Sequence, residues 1–289
     1  MSRIFAGHST PRPLGRRWVA ALGGLLLMVV LTGCSQDTED QWKRLGLPDA
    51  ASDRSEYMHD LWIGAWIAAA IVGVFVWGLI FYAVIRFRRR GDDDIPIQIR
   101  YNLPIEVLYT VAPIIVVAVL FFFTVKAQDS ILDPVDHPDH NVVVTAQRWS
   151  WTFNYLHEDA VDGDDVYDAG TPAQDPELWL VKDQSVTFDL NSPDVIHSFW
   201  VPSFYFKMDV VPGRDNSFSM TPTKTGTFVG RCAELCGVLH SKMLFTVVVT
   251  DQETFDQHMQ DLEDAGQVGV LRGGDDANGV DGLAEGATS

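Results

Sequence analysis

The chain changes character along its length, and each change is a change in the spacing of its apolar residues. An apolar run from Trp18 to Leu31 opens it, followed at 34–56 by a polar stretch with Pro48 and no apolar period, which reads as an extended tether. Two longer apolar stretches come next, at about 61–85 and about 105–125. Roughly twenty helical residues at about 1.5 Å rise cover the hydrocarbon core of a bilayer, so each predicts a spanning helix. Pro113 lies inside the second. A kink and not a break is expected there, because neighbouring helices, side chains and water re-satisfy the freed carbonyl. Trp62, Trp66, Tyr82 and Tyr109 lie toward the ends, where interfacial aromatics belong.

From about residue 141 the pattern becomes short β-rich runs, at 141–149, 151–155, 178–181, 185–190, 195–201, 216–220, 226–231 and 244–249. Turn residues such as Pro212-Gly213 and Lys224-Thr225-Gly226 bound them, the signature of a sandwich or barrel. Thr250 and Glu253 form a capping-box pattern that opens a terminal helix to about Leu262. The remainder, 263–289, is rich in Gly, Ala and Asp and reads as disordered. The expected organisation is a leader at 1–33, a tether at 34–56, a helical hairpin at 57–129, a β domain at 130–262 and the tail.

Charge adds orientation. Residues 1–33 hold four arginines and no acid, and end in Leu31-Thr32-Gly33-Cys34. This is the pattern of a bacterial lipoprotein signal, cut before Cys34, whose sulfur then receives lipid; the other reading is an uncleaved helix with an idle cysteine. Arg86, Arg88, Arg89, Arg90 and Arg100 crowd the loop between the two long apolar stretches, which the positive-inside rule makes cytoplasmic. Both flanks then lie outside, in agreement with an external Cys34. A multi-pass protein of the cell membrane is expected, with an extracytoplasmic C-terminal domain and a lipid anchor at Cys34. No nucleic-acid partner is expected.

The candidate chemistry is concentrated in Cys232-Ala-Glu-Leu-Cys236-Gly-Val-Leu-His240-Ser-Lys-Met243, with His197 thirty-five residues before the first cysteine. Thiolate and thioether are soft donors that suit copper. Two sulfurs four residues apart can each bridge a pair of ions, with one histidine capping each. Other readings remain open. A disulfide is the default for two cysteines outside the cytoplasm, but it leaves His240 and Met243 without a role. A closed Cys2His2 zinc site uses four of the donors, although His197 is far upstream and Met243 becomes incidental. There is no C-x-x-C-H, so no haem is attached covalently to this chain.

Paired membrane helices, a β domain and a C-x3-C-x3-H-x2-M box together resemble subunit II of the haem-copper cytochrome c oxidases. The likeness covers nearly all of residues 57–262 and extends to the local runs Asp194-Val-Ile-His197-Ser-Phe-Trp200-Val-Pro202, Met208-Asp-Val-Val-Pro212-Gly-Arg214 and Gly230-Arg-Cys232-Ala-Glu234-Leu-Cys236. It implies a two-helix transmembrane hairpin followed by an all-β cupredoxin-like Greek-key domain. It also implies a binuclear CuA centre: one copper each on His197 and His240, bridges from Cys232 and Cys236, and contacts from Met243 and the backbone carbonyl of Glu234. In the family this centre takes electrons from cytochrome c and passes them to haem in subunit I, where oxygen reduction is coupled to proton pumping. Subunit I and the other oxidase subunits are thus implied partners. The Glu234 side chain is implied at a magnesium ion shared with subunit I; its alternative role is a solvated loop carboxylate.

Within the run Gln147-Arg-Trp149-Ser-Trp151-Thr-Phe153-Asn-Tyr155, Trp149 matches the family's electron-receiving tryptophan. Trp151, Phe153 and Tyr155 read as core, a period-2 buried face. The acidic loop that follows supplies Glu158, Asp159, Asp162, Asp164 and Asp165 as candidates for docking cytochrome c. Acidic patches raise encounter rates with basic partners. Glu106, at the start of the second helix, matches a glutamate at the mouth of a proton path, although negative charge at a helix N-terminus is favourable in any case. A quinol oxidase subunit lacks the copper donors, and nitrous oxide reductase lacks the paired helices. The alternative function is a membrane-anchored copper-delivery lipoprotein, which needs neither a second membrane helix nor Met243.

Overall fold

The computed structural model describes residues 36–88, 91 and 98–273. The leader, Cys34, Arg89, Arg90 and residues 274–289 lie outside the described residues. Residues up to Leu47 belong to a unit of their own. In it, α1 (Gln36–Lys43) is a helix of two turns where an extended tether was expected. Its acids lie early and Lys43 lies in the last turn, which suits the helix dipole, and Lys43 bonds Asp40 at 2.8 Å.

From Pro48 onward the chain forms the second unit. Its two long helices are α2 (Ser55–Arg86) and α3 (Leu103–Ile131), 32 and 29 residues. At about 1.5 Å per residue both exceed the ~30 Å hydrocarbon core, so the apolar windows marked only their central parts. Bonds at the ends carry the helices further. Asn102 caps α3, and its own N–H donates to the Glu106 carboxylate at 2.8 Å. At the other end the Arg54 guanidinium donates to the carbonyls of Ser130 (2.7 Å) and Asp133 (3.0 Å). The helix continues through Pro113.

Ten strands follow: β1 (His140–Gln147), β2 (Ser150–Leu156), β3 (Val166–Ala169), β4 (Glu177–Val181), β5 (Val186–Asn191), β6 (His197–Val201), β7 (Phe206–Val210), β8 (Asn216–Met220), β9 (Gly226–Cys232) and β10 (Leu244–Thr250). They form two five-stranded sheets, in the orders β3-β2-β1-β5-β8 and β4-β10-β9-β6-β7. The pairs β1·β5 and β4·β10 are parallel, and the rest are antiparallel. Trp151, Phe153, Phe188, Phe199 and Phe245 are fully buried between the sheets. They meet edge-on or offset at ring separations of 5.1 to 6.1 Å, as aromatic pairs prefer.

The sandwich is sewn to the hairpin just ahead of α2. Ala51 N–H donates to Ser203 O at 2.8 Å, Asp53 N–H donates to Thr221 O at 3.0 Å, and the hydroxyls of Ser52 and Ser55 both reach Phe204 O.

Strands β3 and β7 were not expected from the sequence. The first lies beyond the acidic loop and completes an edge against β2; the second pairs with β6. The terminal helix α4 (Gln252–Asp264) is capped by Asp251, not Thr250: the Asp251 carboxylate accepts from Thr254 N–H at 3.0 Å. Phe255, Met259 and Leu262 form its buried face.

Residues 265–273 were expected to begin a disordered tail, and instead they hold to the first sheet. Buried Asn154 supplies the reason: its amide accepts from Leu271 N–H at 2.6 Å and donates to Leu271 O at 3.2 Å. Gln267 O accepts from Tyr167 N–H at 3.0 Å.

Glu158, expected among the exposed docking acids, is buried. Its carboxylate receives His140 Nδ1 at 3.0 Å, while His140 Nε2 meets Gln184 Oε1 at 2.7 Å. Burial alone would lower the pKa of His140, but the bond and charge of Glu158 outweigh it and raise the value. A histidine raised in the folded state contributes stability in full below its ordinary pKa of about 6.5, and that contribution fades as pH rises through the folded value. Glu158→Gln is therefore expected to cost roughly 1–3 kcal/mol near pH 6 and to flatten the loss of stability between pH 6 and 9. Denaturant unfolding of the whole chain in detergent at a series of pH values measures both effects.

Candidate metal centre

Three strand ends build the site. His197 begins β6, Cys232 ends β9 and Met243 immediately precedes β10. The ladders fix their order: Phe199 is opposite Cys232, and Arg231 is opposite Leu244. Two further bonds lock Cys232 between its neighbours, from Cys232 N–H to Met243 O and from Ala233 N–H to Ser198 O, both 3.0 Å. The loop between β9 and β10 then carries Glu234, Cys236 and His240 back over the strand ends, with His240 opening a single 3₁₀ turn (His240–Lys242).

The structure brings the donor atoms expected from the sequence close together. Cys232 Sγ and Cys236 Sγ are 3.9 Å apart, and both thiols are free. A disulfide needs about 2.05 Å. Sulfurs that share an ion at a bond length near 2.3 Å must lie within roughly 4.6 Å, so this spacing fits a shared metal. His197 Nδ1 lies 3.9 Å from Cys232 Sγ, and His240 Nδ1 lies 3.5 Å from Cys236 Sγ. Met243 Sδ is 3.7 Å from Cys236 Sγ, and Glu234 O is 3.2 Å from Cys232 Sγ. Met243 thus turns its sulfur toward the thiols. His197, Cys232, Cys236 and Met243 are buried and His240 is half-buried, while the Glu234 side chain is exposed.

Electrostatics favour a cation here. The Cys236 thiol bonded to Cys232, helped against burial by His197, holds the Cys232 pKa well below the ordinary thiol range; the same hydrogen bond, then burial and the charge on Cys232, push Cys236 up. A bound metal would displace thiol protons here.

Asp194, to which sequence reasoning assigns no role of its own, stands behind the site. Burial would raise its carboxyl, but bonds from His197 and from the backbone N–H groups of Arg148 and Val195 hold it down at about 2. An ionised carboxylate only accepts, so His197 Nε2, at 2.9 Å, carries the hydrogen and presents Nδ1 as the lone-pair face. The second Asp194 oxygen takes Arg148 N–H at 2.8 Å and its guanidinium at 3.3 Å. One side chain therefore orients the histidine and ties down the turn that carries Trp149. The only signal for it in sequence is its place three residues before His197.

Trp149 lies against the ligand loop and is 8% exposed; Trp151, Phe153 and Tyr155 are fully buried, as expected of core residues. Among the docking candidates, Asp159, Asp162 and Asp164 are exposed. Asp165 is half-buried, accepting from His157 N–H at 2.9 Å, and Glu158 is withdrawn into the core. Glu106 belongs to the hairpin, in the first turn of α3.

Comparison with known proteins gives two matches to family descriptions: "Cytochrome C oxidase subunit II, periplasmic domain" over residues 141–250, and the transmembrane domain of the same subunit over residues 40–127. The chain is similar to a "Probable cytochrome c oxidase subunit 2" of Streptomyces avermitilis, at 42% identity covering 95% of each chain. It is similar also to a "Cytochrome c oxidase subunit 2" of Mycobacterium bovis, at 33% identity over 86% of this chain and 82% of the other. Among solved structures, the periplasmic domain of subunit II of cytochrome oxidase of Bradyrhizobium japonicum aligns at 26% identity over 45% of this chain and 98% of that one, with a TM-score of 0.40.

Asp194→Asn removes the charge that orients His197. Losing such an outer carboxylate typically lowers metal affinity 10- to 100-fold. That drop is expected here for Cu(I), measured by competition with a chelator of known affinity; unchanged affinity would deny Asp194 its orienting role.

Proposed function

The chain belongs to the cytochrome c oxidase subunit II family, and we propose that His197, Cys232, Cys236, His240, Met243 and the carbonyl of Glu234 hold its two-copper CuA centre. The observation that carries this reading is the pair of reduced sulfurs 3.9 Å apart with an imidazole Nδ1 beside each. Bound there, the copper pair supplies one-electron storage with the charge spread over two ions. The chain's own contribution is to keep the donors still. Strand ends that are hydrogen-bonded on both sides of Cys232, and a histidine ring held by Asp194, leave little to rearrange when an electron arrives.

In the same reading Trp149 receives electrons at the edge of the ligand loop. Asp159, Asp162 and Asp164, with a lesser part for Asp165, attract a basic cytochrome c. Glu158 has no part in docking because His140 holds it inside the domain. The exposed Glu234 carboxylate is available to a magnesium ion shared with subunit I, a hard cation that suits oxygen donors. Glu106 serves the mouth of a proton path at the cytoplasmic end of α3, and Cys34 carries lipid after removal of the leader. The protein is a membrane subunit with two spanning helices and an extracytoplasmic β domain. A copper-delivery lipoprotein is not favoured: the family match extends through both membrane helices.

In the purified oxidase this chain is expected to hold two coppers with a mixed-valence EPR signal. Cys236→Ser should abolish that signal and leave at most one ion. A Cys232–Cys236 disulfide in active enzyme would contradict the assignment. Glu106→Gln is expected to slow proton-coupled turnover several-fold with the copper spectrum unchanged, as read by oxygen consumption; turnover at the normal rate would remove Glu106 from the proton path.

A further inference from the structure

We infer that Gly237 is a positioning residue for electron transfer: the bare backbone after Cys236 is the seat against which the Trp149 indole is packed. The inference rests on the reading of Trp149 as the electron-receiving ring. Three observations carry it. A side chain on residue 237 would place its Cβ 2.9 Å from Trp149 Nε1, 3.0 Å from Cζ2 and 3.2 Å from Cε2. The indole Nε1 is buried and has no hydrogen-bond partner among the described residues, so no polar contact orients the ring. Packing does. The turn that carries the ring is itself held, because Asp194 bonds both the N–H and the guanidinium of the preceding residue, Arg148.

The backbone at Gly237 has φ +132°, which side-chain-bearing residues rarely adopt. Two separate demands, conformation and space, therefore fall on one residue, and that residue is covalently next to a sulfur donor. Electronic coupling falls steeply with distance. Lifting the ring off the loop would slow the arrival of electrons without altering any donor atom.

The test is made on the purified whole oxidase, with a reduced soluble c-type cytochrome as donor, by stopped-flow reduction of the copper centre alongside its absorption and EPR spectra. Gly237→Ala is expected to slow reduction at least tenfold with the spectra unchanged. Trp149→Ala, which removes all three crowded atoms, should also slow reduction more than tenfold. In the double variant the two losses should not multiply: its rate should match that of Trp149→Ala within about twofold, the mark of two residues acting through one contact.

A normal rate in Gly237→Ala, or a double variant slower by the full product, would overturn the role of Gly237 and leave Trp149 in place. A normal rate in Trp149→Ala would instead overturn the reading of Trp149, and this inference with it. If crowding against Trp149 stops Gly237→Ala from binding copper, the inference requires the double variant to recover it. A double variant that still lacks copper would show that residue 237 matters for its backbone alone.

Discussion

Where the two buried thiols lie is set by the strand ends that carry them, and sulfurs 3.9 Å apart can serve one ion only if those ends stay in register. Much of the β domain can be understood from that constraint. Cys232 is the final residue of a central strand, bonded to β6 on one side and to the start of β10 on the other. Cys236 sits on a loop whose two ends are the same ladders. Ordinary sheet pairing thus places the sulfurs at a separation suited to a shared ion.

Beyond the thiols, the restraint passes outward through one carboxylate. Asp194 accepts from the His197 ring, from two neighbouring backbone N–H groups and from the Arg148 guanidinium. It is only partly buried, yet every bond to it favours the ionised form. The histidine side and the aromatic side of the site are thus fixed relative to each other through one side chain. Gly237 adds the complementary restraint by allowing approach where any other residue would prevent it.

The spanning helices and most strands were legible because their signals are local: long apolar runs, alternation and turn residues. The misses share a different cause. Strand β7 spans only Phe206–Val210, with Lys207 and Asp209 outward, and its pairing with β6 makes it a strand more than its own composition does. The segment 265–273 is ordered by a buried asparagine more than a hundred residues earlier. Glu158 looked like one more surface acid until the fold brought His140 beside it. Among site residues the sulfur and imidazole donors announce themselves by chemical type and spacing. Asp194 and Gly237 do not, because an outer carboxylate and a close approach exist only once distant strands have met.

The stitching ahead of α2 has a mechanical consequence. Arg54 grips the end of α3 while its immediate neighbours are bonded to the sandwich, so the five-residue segment Ala51–Ser55 joins both helices and the β domain at a single node. A flexible hinge at this place would let the domain sway like a buoy on a line, and any tunnelling gap to a membrane-embedded acceptor would fluctuate with it. A riveted joint instead limits that sway by fastening the domain to both membrane helices at one place.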